Sequence, residues 1–244
     1  MTLRLDCAVL TFTEQMLLLL LDDETGTFVP IPRTSLTCAL AGAVLMDLAF
    51  ANRIDTDLQT LTVTNRTPTG TPMLDQALAK IGARKEAMDT RSWIKLLSVE
   101  DAESIREQAL QGLVLQGVLA QRPDSFRSAF QPGLGVLERG EKSFLRALDV
   151  RRYRTIDVEA EREVKRRIGR VLLTDDIPDP RDVALIGLAD ACDILGDVFP
   201  DRKMEALRPR VEQLRNMDLI GRELAGAISD IEHNVKMAVS GVAG

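Results

Sequence analysis

The feature that most constrains this chain is the run Val183 to Leu195, VALIGLADACDIL, a helix-length stretch with almost no polar face. A helix that is apolar on every side belongs at the centre of a bundle, because no orientation at a surface satisfies it. Asp179 and Pro180 suit the cap and first position of that helix, which is expected to run from Arg181 to Phe199. A second stretch, Thr34 to Arg53, carries small and large apolar residues through a full helix length and reads as another buried helix. Its longest apolar run, Ser35 to Met46, stops at Asp47. A bilayer span needs about 20 apolar residues, so these runs are read as core and the chain is not expected to cross a membrane.

The rest of the core has to be aliphatic, because only 4% of the 244 residues are aromatic while 45% are hydrophobic. Leu, Ile, Val, Ala and Met favour helices, so the fold class expected is mainly α. No internal repeat or low-complexity linker interrupts the chain, which reads as a single domain over residues 1–244. The formal charge is −6, from 31 Lys and Arg against 37 Asp and Glu. Bulk attraction to nucleic acid is thereby excluded, and an anionic partner needs a local basic patch. Such a patch exists in sequence: residues 138–170 hold eleven Lys or Arg against seven Asp or Glu, which leaves −10 for the remainder.

Smaller signals place the other elements. Thr11 with Glu14 reads as a capping box ahead of the apolar run Gln15 to Leu21. Leu61 and Val63 alternate with Thr in a short strand, and Thr71-Pro72 opens a helix expected to close at Gly82. Ser92 to Leu97 and Glu103 to Gln116 read as helices, the second closed by Gly117. Weak strands are expected near Val136 and Phe144, and a charged helix over Val158 to Leu173. Pro209 interrupts a following helix, and Leu219 to Val239 is amphipathic, with Ile220, Leu224, Ile228, Ile231 and Val235 on one stripe.

Candidate catalytic chemistry is thin. Cys7, Cys38 and Cys192 are scattered, with no C-x-x-C pair, and His233 is the only histidine, so no zinc site and no nucleophile and base set can be assembled. His233 falls out of phase with the apolar stripe and is expected at the surface. Asp190, Asp193 and Asp197 read as the polar edge of a buried helix rather than as metal ligands, and Trp93 as a core anchor. Free cysteines fit a reducing, cytoplasmic compartment, and Asp6 and Glu14 interrupt what a signal peptide would need.

Six stretches occur in the order found in a known family. They are Leu10-Thr-Phe-Thr-Glu-Gln-Met-Leu-Leu-Leu with Asp22-Asp-Glu-Thr-Gly26, Gly42-Ala-Val-Leu-Met-Asp-Leu-Ala with Asn52-Arg53, and Pro68-Thr-Gly-Thr-Pro-Met-Leu-Asp-Gln-Ala-Leu78. Trp93-Ile-Lys-Leu-Leu97, Ile105-Arg-Glu to Gly117-Val-Leu119, and Arg181-Asp-Val-Ala-Leu-Ile-Gly-Leu-Ala-Asp-Ala-Cys-Asp-Ile-Leu195 complete the set. On these the chain resembles the Golgi phosphoprotein 3 family, phosphoinositide-binding adaptors of eukaryotes with bacterial-type relatives.

The resemblance implies a helical domain with an inner bundle, surrounding helices and a short β-hairpin, without enzymatic activity or cofactor. It also implies a peripheral protein on the cytoplasmic face of a membrane, holding the headgroup of phosphatidylinositol 4-phosphate and meeting protein partners or further copies of itself. The family's pocket residues fall on Pro32, Ala41, Glu103 and Arg106, so only one of its arginines is kept, and Arg33 lies beside the lost tryptophan position. Arg106 and Arg33 are therefore the candidate headgroup ligands. The family's hairpin, used for membrane contact and self-association, falls on Phe144, Leu145, Arg151, Arg152, Tyr153 and Arg154. A soluble scaffold that binds protein or peptide partners without lipid is the alternative reading.

Overall fold

Thr11 starts the first helix in the way the sequence predicts. Its hydroxyl accepts from the Glu14 amide at 3.1 Å while the Glu14 carboxylate accepts from the Thr11 amide at 2.8 Å, a complete capping box. The computed structural model describes residues 10–21, 28–29, 31–56, 60–121, 153–156, 158–174, 177–199 and 204–215. Among these, helix α1 spans Phe12–Leu19, α2 Arg33–Phe50, α3 Pro72–Ala83, α4 Thr90–Glu100 and α5 Ala102–Leu115. Then follow α6 at Val158–Leu173, α7 at Pro180–Ala191, the single turn α8 at Leu195–Val198, and α9 at Met204–Arg215. The strands are minor. Strands β1 (Ile54–Thr56) and β2 (Leu61–Val63) pair antiparallel with Ile54 opposite Val63, and β3 (Leu119–Gln121) pairs with β4 (Tyr153–Thr155), Leu119 opposite Thr155. The fold is mainly α, as expected.

Two helices share the centre. In α7, Val183 and Ile186 are buried, as is Ile194 beyond its end, so the run that opened the sequence reading does lie inside. Helix α2 is at least as central, packing against α1, α3, α4, α5 and α7. It is long and apolar enough to match a membrane span by length and composition, but 67% of it is buried by those neighbours. Trp93, on α4, is fully buried, with the Arg84 guanidinium 5.9 Å from its ring centre.

Three helix ends share one device. Gly117 follows α5 with φ of 75°, and the Val118 amide reaches back to the Leu113 carbonyl at 2.9 Å. Asn52 after α2 and Asp193 after α7 adopt the same left-handed backbone, with the next amide returning to Leu48 at 2.9 Å and to Ala189 at 3.1 Å respectively. These are Schellman closures, in which orphan carbonyls at the helix end are satisfied. The helix expected over Arg181 to Phe199 is thereby corrected. It stops at Ala191, turns at Asp193 and resumes for one turn as α8. Gly82 sits within α3 rather than past it, since that helix continues to Ala83. Pro209 lies inside α9 without ending it. The expected strands near Val136 and Phe144, the amphipathic stretch Leu219 to Val239, and His233 all lie outside the described residues.

Candidate functional site

The two ends of α2 differ in chemistry, and the candidate site is at its start. The α2 N-cap is Pro32, which makes no side-chain capping bond, and no acidic residue occupies the first turn. Four amides at a helix start have no partner within the helix, and an uncapped start is an electropositive place where anions bind. Arg33, the first residue of α2, is exposed beside it. One turn on, the Ser35 carbonyl accepts from the Cys192 thiol at 3.5 Å, and Cys38 meets Ser98 of α4. Burial pushes the Cys38 thiol up, against the Ser98 hydrogen bond and the nearby Lys95 ammonium. Since α5 begins directly after α4, the starts of α2 and α5 lie at the same end of the molecule.

Arg106 stands one turn into α5. Its side chain is 14% exposed and donates to Glu103 at 2.6 Å. Glu103, three residues earlier, is 77% exposed. The Glu103 carboxylate thus neutralises Arg106, the one arginine that the resemblance implies is kept from the family's pair. Ala41, at a third family position, is wholly buried in the core, and Pro32, at the fourth, is exposed. The structure therefore brings Arg33 and Arg106 to one end on neighbouring helices, with Glu103 competing for the second. Phe144, Leu145, Arg151 and Arg152 lie outside the described residues, as do the side chains of Tyr153 and Arg154. The backbone of these last two sits on β4, Tyr153 opposite Gln121 and Arg154 opposite Ala120.

The Asp190 carboxylate is held by Arg208 at 3.0 Å, which fits its reading as the polar edge of a buried helix. Asp193 serves the turn after α7, and the Asp197 side chain lies outside the described residues.

The opposite end of α2 holds charged groups that sequence reading missed. Asp47, taken only as the stop of an apolar run, is buried, and both its oxygens accept from the Phe12 amide at 3.0 Å. Arg181, at the start of α7, approaches that carboxylate at 3.8 Å and stacks over the Phe12 ring at 4.3 Å. Burial pushes Asp47 up to about 7, although the Phe12 amide and the Arg181 charge both oppose it. Glu14, likewise raised by burial, accepts from Gln116, just past the end of α5, at 2.8 Å. Arg167 of α6 binds both Gln15 and the buried Asp182. The only signal available in sequence was a charge set at the edge of a strongly apolar run.

The model of the Golgi phosphoprotein 3 (GPP34) family matches residues 12–132 and 133–231. The chain is also similar to vacuolar protein sorting-associated protein 74 of Eremothecium gossypii, at 27% identity over 196 residues, covering 72% of this chain and 51% of that protein. It spans about half the length of that curated relative. With the family model covering nearly every helix described above, the chain belongs to the Golgi phosphoprotein 3 family.

Proposed function

We propose that this protein is a peripheral membrane adaptor that reads anionic lipid headgroups by charge, at the end where α2 and α5 begin. The carrying observation is the uncapped, exposed start of α2, with Arg33 in its first turn and Arg106 on the neighbouring helix. A phosphate there would accept from amides of the first turn and from Arg33, and would have to displace Glu103 to engage Arg106. Each charge-assisted hydrogen bond is worth roughly 1.5–3 kcal/mol, so the lost arginines remove most of the stereospecific part of the interaction. The remainder is diffuse attraction, to which the basic residues Arg151, Arg152 and Arg154 add. The reading includes a single domain over residues 1–244, a non-catalytic role on a cytoplasmic membrane face, and association with protein partners or further copies of the chain.

Vesicle sedimentation tests this. Binding to phosphatidylcholine vesicles containing phosphatidylserine should match binding to vesicles of equal charge containing phosphatidylinositol 4-phosphate. Both should fall steeply with salt, since exposed charges are screened beyond about 8–10 Å at physiological ionic strength. Salt-insensitive binding selective for one phosphoinositide contradicts the charge reading. Failure to bind anionic vesicles at low salt favours a soluble scaffold instead.

A further inference from the structure

Leu173 closes α6 half exposed, and Ile177, four residues on, is 98% exposed. Leu173 borders a groove of about 370 Å³ beside α6 that Leu172, Leu173, Phe199 and Leu207 line with apolar surface. Contiguous apolar surface of this kind marks a contact site more often than an isolated exposed leucine does. On the same helix Arg162, Arg166 and Arg170 recur every fourth residue, all three exposed, and so form one row. Arg166 pairs with Glu159 at 3.6 Å and with Glu163. Arg162 and Arg170 have no ion-pair partner among the described residues. Lys165, also at the groove, is occupied by the Leu21 carbonyl at 3.0 Å and by Glu161 at 2.8 Å.

We propose that this edge of α6 is a contact surface for an anionic lipid bilayer, with Leu173 and Ile177 entering the acyl boundary and Arg162, Arg166 and Arg170 lying against the headgroups. Protruding aliphatics next to a cationic row have the composition of interfacial membrane contacts, where apolar burial and attraction to anionic lipid act together. A side chain as fully exposed as Ile177 enters fluid acyl chains of any local shape, whereas a protein partner would need a cavity cut to fit it. The inference rests on the proposal that the protein docks on anionic membranes.

The test uses the full chain and phosphatidylcholine vesicles with and without phosphatidylserine. Replacing Leu173→Ser together with Ile177→Ser should lower partitioning roughly tenfold, and Arg162→Ser or Arg170→Ser roughly fivefold each. These are surface positions, so thermal stability should stay unchanged. An Ile177→Trp variant should shift its emission to the blue when vesicles are added, against a constant background from the buried Trp93. If the natural chain fails to bind anionic vesicles at all, the membrane reading and this inference fall together. If it binds and the Ser variants bind equally well with no shift in the Ile177→Trp emission, this inference alone is overturned. Loss of a solution dimer in the Ser variants, with vesicle binding intact, would overturn it in favour of a second copy of the chain on this face.

Discussion

The two ends of α2 solve opposite problems. At its end, Asp47, Arg181, Glu14, Gln15, Arg167 and Asp182 come from four helices, with Gln116 just past a fifth, and pair with one another around buried carboxylates. At its start the first turn has no side-chain cap, Arg33 is exposed, and on α5 Glu103 pairs with Arg106. Buried polar groups are costly unless satisfied, and once satisfied they hold the helices in one arrangement. Polar groups left open at a surface add little to stability and remain available to a ligand. The sealed end therefore fixes the packing, and the start of α2 is where the proposed headgroup site lies.

Breaking the sealed end should have the largest effect. Arg167→Met removes the partner of buried Asp182 and of Gln15, and a buried charge left without its partner costs about 3–5 kcal/mol. Urea unfolding should show that loss, and a change below about 0.5 kcal/mol, the size of an ordinary surface substitution, would mean that the network does not hold the helices. Vesicle binding by the fraction still folded should be unaffected.

The Asp47 carboxyl gives the sealed end a pH signature. Its native value of about 7 lies above its ordinary value of 3.8, so between those limits the folded protein binds a proton that the unfolded chain lacks. Its contribution is therefore fully present below about pH 4 and is lost as pH rises towards 7, by at most about 4 kcal/mol. Asp75 and Asp89, held below their ordinary range, push the other way. The informative quantity is thus the difference between the natural chain and Asp47→Asn. The natural chain should lose stability relative to the variant from pH 4 to 7. Parallel curves would show that Asp47 does not titrate in this window.

Gly112 sharpens the comparison at intermediate size. A Cβ there would collide with the Glu14 carboxylate, which Thr11 and Gln116 hold in place. Alanine is normally the better helix former by about 1 kcal/mol, yet Gly112→Ala should destabilise by about 1–3 kcal/mol, the usual cost of overpacking. A stabilised variant would show that Glu14 moves freely and that this end is less tightly closed than its hydrogen bonds indicate.

How much of this was legible in sequence follows from range. Patterns within a few residues were read well: the Thr11 and Glu14 box, the span Val158–Leu173, and the closure at Gly117. The break after α7 was not, because Asp193 takes a left-handed backbone that glycine usually marks, and the surrounding run is apolar on both sides. The same holds for Asn52 after α2. The sealed end escaped because its partners lie far apart in the chain, Phe12 from Asp47 and Gln15 from Arg167, and hydropathy carries no record of such pairs. At the open end the position of Arg106 came from the family resemblance. Its neutralisation by Glu103 needed only the spacing of three on a helix.

That pair offers the most direct measurement of the central claim, that the start of α2 and α5 is open for an anionic headgroup and is weakened by one misplaced carboxylate. Glu103→Arg removes the competing charge from Arg106 and restores the family's pair of arginines at an exposed position. Affinity for vesicles containing phosphatidylinositol 4-phosphate should rise roughly tenfold to a hundredfold, one new charge-assisted contact, while the protein stays folded, since the substituted side chain is 77% exposed. Unchanged or weaker binding by a fully folded Glu103→Arg protein would contradict the account and place lipid recognition, if the protein has it, elsewhere on the molecule.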